Sequence, residues 1–167
     1  MRRRKSGTLI LAYHNVVPDG ELPCGDISLH LPQQMFATQL DILQETHDVI
    51  PLAEAITSHW NPGQRPRVAI TFDDAYRGAV TVGVEELVAR SLPATIFVAP
   101  AFVGGGTFWW DALAAADSGS LDAGLRNRAL DAWRGVDREV RAGAQALGIA
   151  QQLVAEHARC ASEKELR

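Results

Sequence analysis

The sequence predicts an α/β fold organised around parallel strands, either an open sheet or a barrel. Two observations predict it. Short runs rich in strand-forming residues recur at Thr8 to Tyr13, Val68 to Phe72 and Ala94 to Val98, with segments of helical spacing between them, the alternation that builds parallel sheets. The middle run ends in Thr71-Phe72-Asp73-Asp74, which sets two neighbouring carboxylates at the C-terminal end of a strand, the edge where such folds bind ligands. At 167 residues the chain is long enough for one domain with a real core.

Thr8-Leu9-Ile10-Leu11-Ala12-Tyr13 reads as a buried strand, followed by a Pro- and Gly-rich loop from Pro18 to Gly25. Pro32 to Glu45 carries Met35, Phe36, Leu40 and Leu43 at helical spacing, with Pro32 suited to a first turn. Val49-Ile50 predicts a very short strand and Leu52 to His59 a second helix, closed by the loop Asn61-Pro62-Gly63-Gln64-Arg65-Pro66. Beyond the strand Val68 to Phe72, Val82 to Arg90 predicts a helix and Ala94 to Val98 one more strand. From Trp109 the composition shifts to Ala, Leu, Arg, Glu and Gln. Helices are expected over Leu121 to Trp133 and Glu139 to Cys160, punctuated by Gly135 and Gly148. Residues 8–108 are thus the expected βα portion and 109–167 a helical insertion on it, all within one domain. Ser162 and Glu165 stand at capping-box spacing and open one further helical turn.

Composition narrows the function classes. A net charge of −4 gives no basic field to draw the chain to nucleic acid, and the cluster Arg2-Arg3-Arg4-Lys5 reads as a solvated end. The apolar run behind that cluster is shorter than the ~7–15 residues of a secretory core, and nothing approaches the ~20 of a membrane span, so a cytoplasmic protein is expected. Cys24 and Cys160 stand far apart without a partner motif and are expected as free thiols.

Two adjacent carboxylates repel each other unless a cation or a shared proton relieves them. A divalent metal does this, leaving one carboxylate as ligand and the other free to move a proton, whereas an Asp pair alone serves equally as a turn or an N-cap. The surrounding residues decide. The run Val68-Ala69-Ile70-Thr71-Phe72-Asp73-Asp74-Ala75-Tyr76-Arg77 resembles the first motif of the polysaccharide deacetylase family, carbohydrate esterase family four. Leu11-Ala12-Tyr13-His14-Asn15-Val16, Phe36 to Leu43 and Leu92 to Ala99 are similar to further family segments in the same order, and Phe108-Trp109-Trp110-Asp111 to a segment of one branch. The resemblance covers residues 8–111 and extends only loosely over the helical remainder.

This resemblance implies a partial, distorted (β/α) barrel, and a hydrolase that removes N-acetyl groups from amino-sugar polysaccharides. It implies Asp73 as general base and Asp74 as ligand of a divalent metal, zinc, that polarises the acetamide carbonyl. His14 joins Asp73 as a catalytic candidate, in contact with substrate or transition state, and fits equally a hydrogen-bonded histidine that closes a loop. Tyr76 and Trp109 are the candidates for contact with the N-acetylated oligo- or polysaccharide. Trp109 and Trp110 fit either a sugar-stacking platform or core packing, and Asp111 reads as an N-cap. Gly104-Gly105-Gly106 lacks phosphate-loop spacing and reads as a rim loop. His30, His47, His59 and His157 read as surface or helix-end residues.

The sequence departs from the family pattern in two places. Ala75 stands where Gly is usual, which costs about 1–2 kcal/mol if that backbone needs positive φ. The second family motif, two metal-binding histidines as His-x-x-x-His, has no counterpart, since no two of the five histidines lie within five residues of each other. The chain is therefore expected to be the N-terminal portion of such a domain, with little activity alone, because catalytic zinc takes three protein ligands. Two other classes compete: a carbohydrate-binding module without catalysis, and, more weakly, a magnesium-dependent phosphohydrolase, for which no phosphate cradle is present.

Overall fold

The fold is taken from a computed structural model that describes residues 8–59, 61, 63–117 and 119–167. The basic cluster Arg2 to Lys5 and Pro62 of the expected loop lie outside the described residues.

β5 (Arg67–Phe72) is the axis of the sheet, and all six of its residues are buried. An apolar run this continuous suits a strand covered on both faces. β1 (Thr8–Tyr13) pairs parallel along its whole length, from Thr8 opposite Arg67 to Tyr13 opposite Phe72. The other edge of β5 is shared by β4 (Asp48–Val49), opposite Arg67 and Val68, and β6 (Thr95–Ile96), opposite Thr71 and Phe72. A second small ladder joins β2 (Asn15–Val17) parallel to β3 (His30–Pro32), a pairing the sequence did not suggest. The expectation of a parallel α/β arrangement holds. One part of it needs correction: β1 is not a buried strand. Leu9 and Ile10 are about half exposed, 47% and 48%, because β1 has a partner on one edge only among the described residues.

α1 (Gln33–Thr46) starts after Pro32 and buries Phe36, Leu40 and Leu43, one stripe at i, i+4 and i+7. Met35, on the opposite side, is 52% exposed. Phe36 meets Tyr13 edge-on at 5.1 Å and Phe72 at 5.6 Å, so the helix seals the C-terminal ends of β1 and β5. α2 (Leu52–Thr57) follows Pro51. α3 (Val84–Ala89) is entered through a π-helical turn, Ala79–Gly83, and is thus shorter than the sequence predicts. Gly78 precedes that turn, and a Cβ there would lie 2.1 Å from the Val16 carbonyl oxygen.

The segment beyond residue 108 packs a small cluster of its own: Trp109, Leu113, Leu121, Leu125, Ala129, Val140 and Ala144. It is built from α4 (Trp109–Ala112), α5 (Ala123–Asp131) and α6 (Asp137–Ala146). Asp122 caps α5 by accepting from the Leu125 amide at 2.8 Å. Gly135 and Gly148, at φ 68° and 73°, end their helices as expected. The long helix expected to Cys160 is not formed, because α6 stops at Ala146 and Gly148 turns the chain back to the main core. There Val154, Ala158 and Cys160 are buried.

Arg159 to Ala161 then form a strap across the Asp-Asp turn. Arg77 N–H donates to the Arg159 carbonyl at 2.7 Å, and Ala161 N–H to the Ala75 carbonyl at 2.9 Å. On the strap's other side Cys160 N–H reaches the Gly106 carbonyl at 2.9 Å and Gly104 N–H the Ala161 carbonyl at 3.1 Å. Ser162 and Glu165 close the expected capping box over a single turn. Among the described residues no helix is long and apolar enough to cross a membrane.

Candidate active site

The register of β1 on β5 sets the site. Because Tyr13 lies opposite Phe72, His14 and Asp73-Asp74 emerge together at the C-terminal edge of the sheet. Asp73 N–H donates to the Tyr13 carbonyl at 2.9 Å, which ties the two strand ends. The backbone then reverses through two consecutive left-handed residues, Asp74 (φ 68°) and Ala75 (φ 53°). Ala75 occupies the position at which the family pattern has Gly, so its expected strain is present. Its methyl group is fully buried.

A pocket of about 490 Å³ opens over this edge. His14, Asp26 and Asp74 supply its polar wall, Trp109, Trp110 and Leu121 its apolar wall, and Arg126 its rim. Three of the residues singled out in the sequence, His14, Asp74 and Trp109, therefore meet in one cavity. Asp73 stands beside them, half-buried at the end of β5, without lining the cavity. Burial pushes the Asp74 carboxyl above its usual range; the nearby acids Asp73 and Asp111 add to this, and His14 acts against it. Asp74 is thus a carboxylate that a bound cation would stabilise.

Tyr76 is not a surface residue of the pocket. Its side chain is 0% exposed, and its hydroxyl donates to Asp111 Oδ2 at 2.7 Å while accepting from Trp110 Nε1–H at 2.7 Å. The expected substrate contact becomes a support beneath Trp110. Burial, then the Asp111 carboxylate, drive its phenol pKa far upward, so it stays protonated. Trp110 in turn stacks on Phe108 with ring centroids 4.9 Å apart and planes 11° apart, and Trp109 meets it edge-on at 5.3 Å. Each tryptophan lines the pocket and also packs a core.

Asp111 lies within α4 and caps nothing; it is the centre of a buried polar cluster. Its Oδ1 accepts from the Asp26 amide and from His30 Nε2–H, both at 3.0 Å. His30 Nδ1 and His157 Nδ1 each face Asn15 Nδ2, at 2.9 and 3.0 Å. His30 and His157 are therefore interior residues, a correction to the surface reading. No local signal separates them from His47 and His59, since Asn15 and His157 lie 142 positions apart. Asp26 was also missed, although Asp26-Ile27-Ser28 has the spacing of a local cap: its Oδ1 accepts from the Ser28 amide at 3.2 Å and hydroxyl at 2.6 Å, and Arg126 holds its other oxygen at 2.7 Å.

The solved structure of IcaB from Ammonifex degensii superimposes with a TM-score of 0.51, covering 88% of this chain and 72% of that one at 20% identity. The chain has the IcaB fold. BA0330 from Bacillus anthracis, named a polysaccharide deacetylase, matches at a TM-score of 0.42 and 17% identity over 69% of this chain and 37% of its own. No protein-family model and no curated relative matches the chain. On the IcaB fold, the pocket sits at the C-terminal edge of the parallel strands.

The donor set does not compose a zinc site. Asp74 offers one carboxylate, and among the described residues no three His, Cys, Asp or Glu side chains gather to hold a metal ion. His30 and His157 turn their Nδ1 atoms to Asn15, not to the pocket. The Gly104-Gly105-Gly106 loop contacts the strap and likewise does not line the pocket.

Proposed function

We propose that this chain binds N-acetylated amino-sugar polysaccharide in the His14–Asp74–Trp110 pocket and belongs to an amide hydrolase of the polysaccharide deacetylase type. The observation that carries this is the meeting of His14, Asp74, Trp109 and Trp110 in one cavity, each from a segment that resembles a deacetylase motif. The fold shared with IcaB is compatible with the reading.

In this reading water adds to the acetamide carbonyl, the C–N bond breaks, and acetate leaves as the amine gains a proton. Asp73 takes the proton from water. His14 faces the reacting group, and Trp110 stacks on the apolar face of the sugar ring. Asp74 contributes one metal ligand, and the remaining donors come from outside these 167 residues. The chain by itself is then a binder with little turnover. A purely sugar-binding role is favoured as second reading by the incomplete donor set.

The test is titration of the chain with the N-acetylglucosamine tetramer and the glucosamine tetramer, followed by tryptophan fluorescence and calorimetry, together with acetate release in added zinc. The acetylated tetramer should bind with a Kd of ~1 mM or tighter, and Trp110→Ala should weaken it by about fivefold, the effect of one stacking contact of ~1 kcal/mol. Equal affinity for both tetramers would overturn the acetamide reading, and binding of neither would overturn the sugar reading altogether. Acetate release that survives Asp73→Asn would remove the assigned base.

A further inference from the structure

Beneath the pocket, three donors are fastened to a single carboxylate. Asp111 is fully buried, and no lysine or arginine pairs with it among the described residues. Its three partners are instead the Asp26 amide, His30 Nε2–H and the Tyr76 hydroxyl. Each leads to a pocket residue by a short path. Asp26 lines the cavity itself. Tyr76 lies two residues beyond Asp74 and also receives the Trp110 indole N–H. His30 passes through Asn15, whose neighbour is His14. Asp111 is itself adjacent to Trp110.

The fit around this carboxylate leaves no slack. Gly25, at φ +77°, lies against Asp111 so closely that a Cβ there would be 2.5 Å from Oδ1. A buried carboxylate without a lysine or arginine partner is costly, and well-packed apolar residues commonly replace buried charged groups without loss of stability. Its value is then directional. Three donors converge on two oxygens from fixed directions, which an apolar side chain cannot require of its neighbours.

We propose that Asp111 is the positioning residue of the pocket, holding the Asp73-Asp74 turn and Trp110 through Tyr76 and the opposite wall through Asp26 and the His30–Asn15 pair. It does not touch the ligand. The inference rests on the sugar-binding reading for its affinity readout and stands without it for its ligand-free readout.

The experiment compares Asp111→Asn with Leu43→Ala, a buried substitution near the C-terminal end of α1 that lines no part of the pocket and is chosen to cost a similar drop in Tm. Two quantities are read at a temperature where both variants are folded. One is affinity for the N-acetylglucosamine tetramer; the other is the ¹⁵N order parameter of the Trp110 indole and the His14 amide without ligand. Asp111→Asn should weaken binding at least about tenfold and lower both order parameters from a rigid value of about 0.85 to below about 0.6. Leu43→Ala should leave affinity within about twofold and both order parameters unchanged. An Asp111→Asn protein that loses Tm yet keeps affinity and order would overturn the inference and leave Asp111 a merely structural residue.

Should the wild type bind no tetramer, the sugar reading falls and the order parameters alone decide the positioning role. If Asp111→Asn does not fold, His30→Gln takes its place. Cutting that arm should loosen His14 across the pocket, and an unchanged His14 amide would overturn the inference.

Discussion

Replacing Tyr76 with phenylalanine deletes one oxygen and leaves the ring, which packs against Phe108 at 4.6 Å and His30 at 5.6 Å, in place. Two hydrogen bonds disappear. The one to Asp111 Oδ2 involves a charged acceptor with no access to solvent, a class worth about 1.5–3 kcal/mol. The one from Trp110 Nε1–H counts for less, about 0.5–1 kcal/mol, because that side chain is half-buried and its N–H can be rehydrated. Lost apolar burial is nil. The expected destabilisation is about 2–4 kcal/mol, or a Tm lower by about 4–16 °C for a chain of this size. Urea unfolding followed by tryptophan fluorescence measures it, with an unchanged m-value required for the comparison. A loss below about 1 kcal/mol would refute the reasoning, since it would mean that the hydroxyl does not hold Asp111 and Trp110 together.

Other expectations follow from the same structure. Gly78→Ala places a methyl 2.1 Å from the Val16 carbonyl oxygen and 2.5 Å from Asn15 Oδ1, so backbone must move; a cost of about 3 kcal/mol or more is expected in chemical denaturation. Ser91 is exposed and held at φ 54°, so Ser91→Gly should raise Tm by about 1–3 °C, the relief of a left-handed conformation less the added freedom of the unfolded chain. His157 gives a pH dependence. Burial holds its pKa below the usual value, against the upward pull of the Leu22 carbonyl, Glu21 and Asp111 and alongside the downward push of His30. The unfolded state then binds the proton first as pH falls. Stability is full above about pH 6.5 and declines below it at up to about 1.4 kcal/mol per pH unit, until the folded-state pKa is reached. Urea midpoints at stepped pH should show this decline, and His157→Gln should flatten it.

What the sequence disclosed was local. β1 and β5 were readable because a short apolar run between turn signals has few other uses, and their ends delivered His14 and Asp73-Asp74 to one edge. The left-handed turn at Ala75 was readable as a clash between residue type and position. The unpredicted parts depend on distant partners. His30 and His157 have unremarkable neighbours in sequence, and their burial follows from Asn15 and Asp111, which reach them across the fold. Asp111 was read as a cap because an acid beside aromatic residues at a helix start usually is one, and only the arrival of Tyr76 and His30 makes it a hub. The expected helix to Cys160 failed for a related reason. Ala-, Gln- and Glu-rich sequence favours helix anywhere, but Val154, Ala158 and Cys160 gain more by burial in the main core than the helix would gain by three more turns.

The strap from Arg159 to Ala161 has a consequence in time as well as in space. Cys160 lies 86 positions beyond Asp74, yet it is the strap that accepts and donates the hydrogen bonds flanking the Asp-Asp turn. A nascent chain can therefore pair β1 with β5 and dock α1 long before the turn has its partner. The left-handed pair Asp74-Ala75 gains that partner only when the chain has been made as far as Ala161 and the long loop has closed. In chain order the strands of the sheet come first and the strap last, so the Asp-Asp turn meets its partner only after the helices that wall the pocket have been translated.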